Sequence, residues 1–105
     1  MAWIYLILAG LFEIGWPVGL KMAQAQNTRI TGILVAVSFM AVSGFLLWLA
    51  QKEIPIGTSY AVWTGIGAAG TFMVGVMFYG DPSSLTRYLG IILIISGVVV
   101  LKFSH

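Results

Sequence analysis

Apolar residues fill four long runs of this chain, approximately 2–20, 30–50, 54–79 and 87–104, and polar residues gather in the short stretches between them. A helix needs about 20 apolar residues to cross a hydrocarbon core, so each run is a candidate membrane span. The pattern predicts an all-α integral membrane protein: residues 1–105 form a single four-helix domain. Lys21 to Arg29 makes the first connection and holds Gln24, Gln26, Asn27 and Thr28; Gln51 to Pro55 makes the second. Gly80-Asp81-Pro82-Ser83-Ser84 is a turn by its Gly, Asp and Pro content. Connections this short make consecutive helices antiparallel and bring both ends of the chain to one side.

Composition agrees with the pattern and narrows it. The 105 residues are 60% hydrophobic and 8% charged, with a mean hydropathy of +1.04, which no water-soluble surface of this size accommodates. Lys21, Arg29, Lys52, Glu53, Asp81, Arg87 and Lys102 stand at the edges of the apolar runs, so the net charge of +2 describes membrane-surface anchors and no nucleic-acid footprint. With no cysteine and one terminal histidine, neither a disulfide framework, a thiolate site nor a metal cluster is expected, and no cofactor is implied. Ala23-Gln24-Ala25 resembles a signal-peptide cleavage site. Three features oppose that reading: no Lys or Arg precedes the first run, the run exceeds a signal core, and an acid sits in its middle.

Orientation is weakly specified. Lys21, Arg29 and Arg87 fall on one side and Lys52 and Lys102 on the other, a difference too small for the positive-inside rule to act on strongly. The counts fit a weak bias completed by other features, and equally dual topology, with both orientations made and paired antiparallel.

The acid inside the first run is Glu13, the single charged residue deep within any of them. Placing a charge there costs about 3 kcal/mol on insertion scales, so an intramembrane acid is a functional site by default. Helical spacing of three and four puts Gly10, Trp16 and Pro17 on the same stripe. Pro17 has no N–H to give the carbonyl of Glu13, which invites a kink. In the third run Tyr60, Trp63, Thr64 and Gly67 share a second stripe. An indole face near a carboxylate suits a cation, drawn by the charge and by the ring quadrupole. Ser38 and Ser43 are the polar candidates of the second run, although serines also join helices by hydrogen bonds. Gly65-Ile66-Gly67-Ala68-Ala69-Gly70 spells the dinucleotide fingerprint, but mid-span it lacks the strand and the distant acid that the fingerprint needs. Close helix approach is the better reading, with Gly67, Thr71 and Gly75 continuing a ridge of small residues. Gly90 and Gly97 mark a further contact face in the fourth run, suited to self-association.

Taken together, Phe12-Glu13, Gly19-Leu20-Lys21, Pro55-Ile56-Gly57-Thr58, Tyr60 to Ala68 and the final Gly97 to Lys102 resemble the small multidrug resistance transporters over essentially the whole chain. Trp16 after the acid and Trp63-Thr64-Gly65-Ile66-Gly67-Ala68 resemble the guanidinium-exporter branch of that family. The resemblance implies a proton-coupled antiporter, not an enzyme, in the bacterial inner membrane, exporting guanidinium-type cations as an antiparallel homodimer or with a paired homologous subunit. It implies Glu13 as the shared proton and substrate site. Trp16 and Ser43 become its hydrogen-bonding neighbours, Tyr60 and Trp63 the aromatic wall, Gly10 the space that keeps the site open, and Gly90 and Gly97 the dimer interface. Pro17 and Gly15 depart from the family pattern and bear on the shape of the pocket. The alternatives are a broad exporter of quaternary ammonium and other lipophilic cations, and, in another class, a proton-translocating rotor subunit or a non-transporting adaptor.

Overall fold

The computed structural model describes residues 1–104, and among these every regular element is helical. Helices α1 (Ala2–Glu13) and α2 (Gly15–Ala23) are two parts of one span, interrupted at Ile14. A 3₁₀ turn (Gln26–Thr28) leads into α3 (Arg29–Ala50), and α4 (Ile56–Phe78) and α5 (Leu85–Phe103) follow. The four spans are each long and apolar enough to cross a bilayer.

Local chemistry sets the helix ends. The hydrogen-bond ladder falters at Ile14 because Pro17 withholds the N–H that would reach Glu13, and Ile14 N–H bonds to Leu11 instead. Ile14 itself keeps helical angles, so the first span continues through the interruption. That span also continues to Ala23, past the apolar run, because its last carbonyls find donors. Thr28 Oγ1 donates to the Met22 carbonyl at 2.7 Å and Arg29 Nε to that of Ala23 at 3.3 Å. Pro55 is extended at ψ 145°, and α4 begins just after it. Ser84 Oγ accepts the Arg87 N–H at 3.2 Å, an N-cap that starts α5 at Leu85, ahead of the charge where the apolar pattern alone begins it.

The helices lie in a slab. The span α1/α2 is central, with α3 against both of its parts, α4 against α1, and α5 leaning chiefly on α4. The Cα envelope measures 48 × 34 × 17 Å accordingly. Lipid tails are as apolar as leucine, so helix contact here depends on close packing. Glycines supply it. A Cβ at Gly19 would lie 2.5 Å from the Ala36 nitrogen and 2.7 Å from the Gly32 carbonyl oxygen, so α2 and α3 touch backbone to backbone. On α4, Gly65 faces Val98 of α5, Gly67 faces Glu13 and Gly70 faces Ile14. The three glycines of the apparent dinucleotide fingerprint are thus three helix contacts. Toward one end, Leu6 and Val62 are fully buried with Ala2, Ala50 and Ile54, and Trp3, Trp63 and Ile66 pack on them.

Lysines over aromatic rings mark both membrane faces. Lys52 Nζ lies 4.4 Å from the Trp48 ring and Lys102 Nζ 5.5 Å from Trp3 at one end, and Lys21 Nζ lies 6.0 Å from Tyr79 at the other. No residue of α5 is buried, and among the described residues nothing would come within 4 Å of a Cβ at Gly90 or Gly97.

Backbone contact at Gly19 leaves no room for a methyl group, whereas Gly44 has open space around it. Gly19→Ala is expected to lower stability by about 1–3 kcal/mol through overpacking. Gly44→Ala is expected to be neutral or to stabilise by up to about 1 kcal/mol through helix propensity. Unfolding of both variants in detergent micelles, followed by circular dichroism, checks the contrast; equal stabilities would deny the close α2–α3 approach.

Candidate functional site

Glu13 ends α1 at the interruption caused by Pro17, and α2, α3 and α4 each present a group to it. Trp16, one turn along, donates its indole N–H to Glu13 Oε1 at 2.5 Å. Ser43 of α3 is fully buried, and its Oγ lies 2.7 Å from the Ala9 carbonyl oxygen and 3.4 Å from Glu13 Oε2. Trp63 of α4 donates its indole N–H to Ser43 Oγ at 2.8 Å. A hydroxyl has one proton. At these distances that proton belongs chiefly to Ala9, which leaves Oε2 the less satisfied of the two carboxylate oxygens.

The carboxylate has space because α4 gives way. A Cβ at Gly67 would lie 2.6 Å from Glu13 Cγ, so glycine there admits the acid between the helices. Beside it opens a cavity of about 410 Å³ lined by Glu13, Trp16, Met40, Tyr60, Trp63 and Thr64, with Pro17, Gly67, Ala68 and Thr71 completing its wall. Tyr60 and Trp63 rings stand 5.5 Å apart at 57°. Tyr60 is 57% exposed and forms the rim, whereas Trp63 lies deeper.

Each residue expected from the sequence has a definite place. Glu13, Trp16, Ser43 and Trp63 form one connected hydrogen-bond chain, and Tyr60 joins them at the cavity edge. Gly10 is buried outside the cavity lining: a Cβ there would lie 2.7 Å from Ile66 Cβ, so the space expected to keep the site open holds an isoleucine, and Gly10 serves α1–α4 contact. Gly15 is filled in the same way, by the ring of Phe39, which also packs 5.6 Å from Phe12. Ser38 takes no part in the chain of hydrogen bonds, and Gly90 and Gly97 lie on α5, away from the cavity. Met40, Ala68 and Thr71 were not expected as lining residues. Met40 stands one turn before Ser43 on α3 and Thr71 one turn after Gly67 on α4, so helical spacing from the polar residues would have found both.

Four apolar spans around a single hydrogen-bonded acid define a multi-pass membrane protein with an acid within its first span. Residues 1–94 match the family model of the Small Multidrug Resistance protein, and the chain belongs to that family, whose bacterial members lie in the inner membrane. Relatives agree over nearly full length. A Yersinia pseudotuberculosis protein named guanidinium exporter is 46% identical over 104 residues, covering 99% of each chain. Proteins of the same name are 43% identical in Proteus vulgaris, again over 99% of each chain, and 42% identical in Salmonella typhimurium, over 99% of this chain and 98% of that one.

Ser43→Ala removes the acceptor of the partly buried Trp63 N–H. It is expected to lower stability by about 1–3 kcal/mol and to shift tryptophan emission. Chemical unfolding in micelles and the emission spectrum check both, and an unperturbed Trp63 signal would show that the indole does not depend on this hydroxyl.

Proposed function

We propose that the chain is a proton-coupled antiporter that exports guanidinium and small guanidinyl cations, with proton and cation competing for Glu13. One observation carries the reading: a lone intramembrane carboxylate, oriented by indole and hydroxyl groups, faces an aromatic-walled cavity. The family and the guanidinium exporters it resembles support the substrate class.

Competition follows from the lone pairs. An ionised carboxylate has about four acceptor sites. Trp16 takes one on Oε1 and Ser43 stands loosely by Oε2, so the open positions receive either a proton or the N–H groups of a cation. Guanidinium is planar with donors around its edge and engages a carboxylate by charge-assisted hydrogen bonds, bidentate where geometry allows. Tyr60 and Trp63 offer their ring faces to the same charge. If only a loaded carrier changes between inward-facing and outward-facing shapes, each cation exported is exchanged for protons entering.

The cavity opens from a slab 17 Å thick in its shortest dimension, so a second polar surface must cover it to keep lipid away. A second copy inserted in the opposite orientation supplies that surface, and α5, with no buried residue and with Gly90 and Gly97 uncovered, offers the contact. A paired homologous subunit meets the same need.

An apolar groove of about 430 Å³ adjoins the site through Trp16 and Met40 and runs along Leu20, Ile33 and Val37. It favours tolerance of an alkyl tail on one guanidinium nitrogen, the remaining N–H groups staying on Glu13.

Glu13→Gln keeps the size of the side chain and loses its titration, so it is expected to insert and fold, release no protons on cation addition and transport nothing. In the unmodified chain guanidinium binding is expected to tighten as pH rises, because the cation takes the proton-free carboxylate. Proton release on guanidinium addition in detergent, and exchange in proteoliposomes, test both. Cation-driven proton movement persisting in the variant would defeat the assignment.

The groove also predicts an order of substrates: guanidinium and singly alkylated guanidines transported, compact tetra-alkylammoniums poorly. Long-chain quaternary cations transported faster than guanidinium in the same proteoliposomes would replace guanidinium export with broad multidrug export and leave antiport standing.

A further inference from the structure

A second, open cavity lies beyond the Glu13 cavity, at the membrane end of α2 and α4. Its volume is about 180 Å³, and Pro17 and Thr71 line both cavities, so the two adjoin. Its far wall holds Lys21, Gly75, Tyr79 and Asp81. Glu13 and Lys21 on one span, like Gly67 and Gly75 on α4, are separated by about 12 Å along the axis. The second cavity therefore stands between Glu13 and the membrane surface.

Asp81 is set there by the backbone. The N–H groups of Tyr79 and Asp81 both donate to the Gly75 carbonyl, at 3.0 and 3.1 Å, and Gly80 turns the chain at φ +66°, a conformation that favours glycine. The turn folds the Asp81 carboxylate onto α4 over Gly75, where a Cβ would lie 2.9 Å from Asp81 Cγ. Any larger residue at 75 would displace the acid from the cavity. Among the described residues no side chain donates a hydrogen bond to this carboxylate, so its acceptor sites are available. Tyr79 adds a ring to the same wall.

We propose that this cavity is a second cation station, at which a guanidinium-type cation pairs with Asp81 on its way between water and Glu13. The inference rests on the proposed antiport at Glu13 and adds a step to its route. A carboxylate at the mouth of a low-dielectric passage raises the local concentration of cations and speeds their capture. Lys21, across the same cavity, carries the same charge as the cargo and offsets that of Asp81. The pairing is consequently brief, as a transfer site requires, being favourable enough to enter and weak enough to leave.

The test uses the full chain in proteoliposomes with guanidinium as the probe. Asp81→Asn is expected to raise KM by about tenfold at low ionic strength, with kcat unchanged and the difference shrinking in high salt. Asp81→Glu, which keeps the charge, is expected to retain the KM of the unmodified chain. Proton release at saturating guanidinium, a measure of Glu13 itself, is expected to persist in both. An unchanged KM in Asp81→Asn, a Glu variant as impaired as the Asn variant, or loss of proton release in Asp81→Asn would each overturn the station. An unmodified chain that releases no protons defeats the Glu13 reading, a result distinct from any change in KM, and takes the station with it.

Discussion

A carboxylate inside a bilayer has no water to turn to, so protein groups must supply its donors, and the arrangement of this chain follows from meeting that demand at Glu13. The cost of an unmet charge there is about 3 kcal/mol or more, comparable to what several packed side chains return. The polar groups around it come from separate elements. Trp16 donates from α2, Ser43 of α3 stands beside Oε2 with its proton chiefly on Ala9, and Trp63 of α4 holds Ser43 in turn. One chain of polar contacts thus links α1, α2, α3 and α4, which requires their backbones to be close. The glycines at 19, 32 and 67 make that approach possible, because a Cβ at any of them would collide with a neighbouring backbone or with Glu13 itself.

Much of this was legible in the sequence where it depended on one helix. Run lengths gave the four spans, and a spacing of three put Trp16 beside Glu13 and Trp63 beside Tyr60. Relations between helices were harder to read. Ser38 and Ser43 look equivalent as serines in an apolar run, and only the register of α3 against α1 puts Ser43 within 2.7 Å of the Ala9 carbonyl oxygen. Gly10 illustrates the same limit: from the acid's own stripe it reads as empty space, and the occupant, Ile66, comes from a distant part of the chain. Helix ends were displaced for a different reason. Thr28, Arg29 and Ser84 satisfy terminal backbone groups, and hydropathy does not register a cap.

Pro17 shows how a local rule and its tertiary setting combine. Proline in a helix interior removes a hydrogen bond and crowds the carbonyl four residues back, and here that carbonyl belongs to Glu13. The interruption therefore falls at the site, yet Ile14 retains helical angles. Packing accounts for the restraint. Ile14 is seated against Gly70 and the ring of Phe39 occupies the space at Gly15, so α3 and α4 grip the span on both sides of the weak point.

The uneven packing of the slab bears on which parts can move. The span α1/α2 is joined to α3 by backbone contact and carries the acid, while α5 packs chiefly on α4 and has no buried residue of its own. In the proposed antiport, a change of access has to alter the surroundings of Glu13 without dismantling its hydrogen bonds, since leaving either Trp63 or the carboxylate unpaired in a low-dielectric site is costly. The glycine contacts between α2 and α3 resist shear because backbone meets backbone. The contact of α4 with α1 is made differently, by an isoleucine side chain over Gly10 and by Glu13 over Gly67, and side chains change rotamer where backbones cannot. Rearrangement around the cavity is therefore cheapest along α4, the helix that holds Tyr60, Trp63 and Thr71, which lines both cavities.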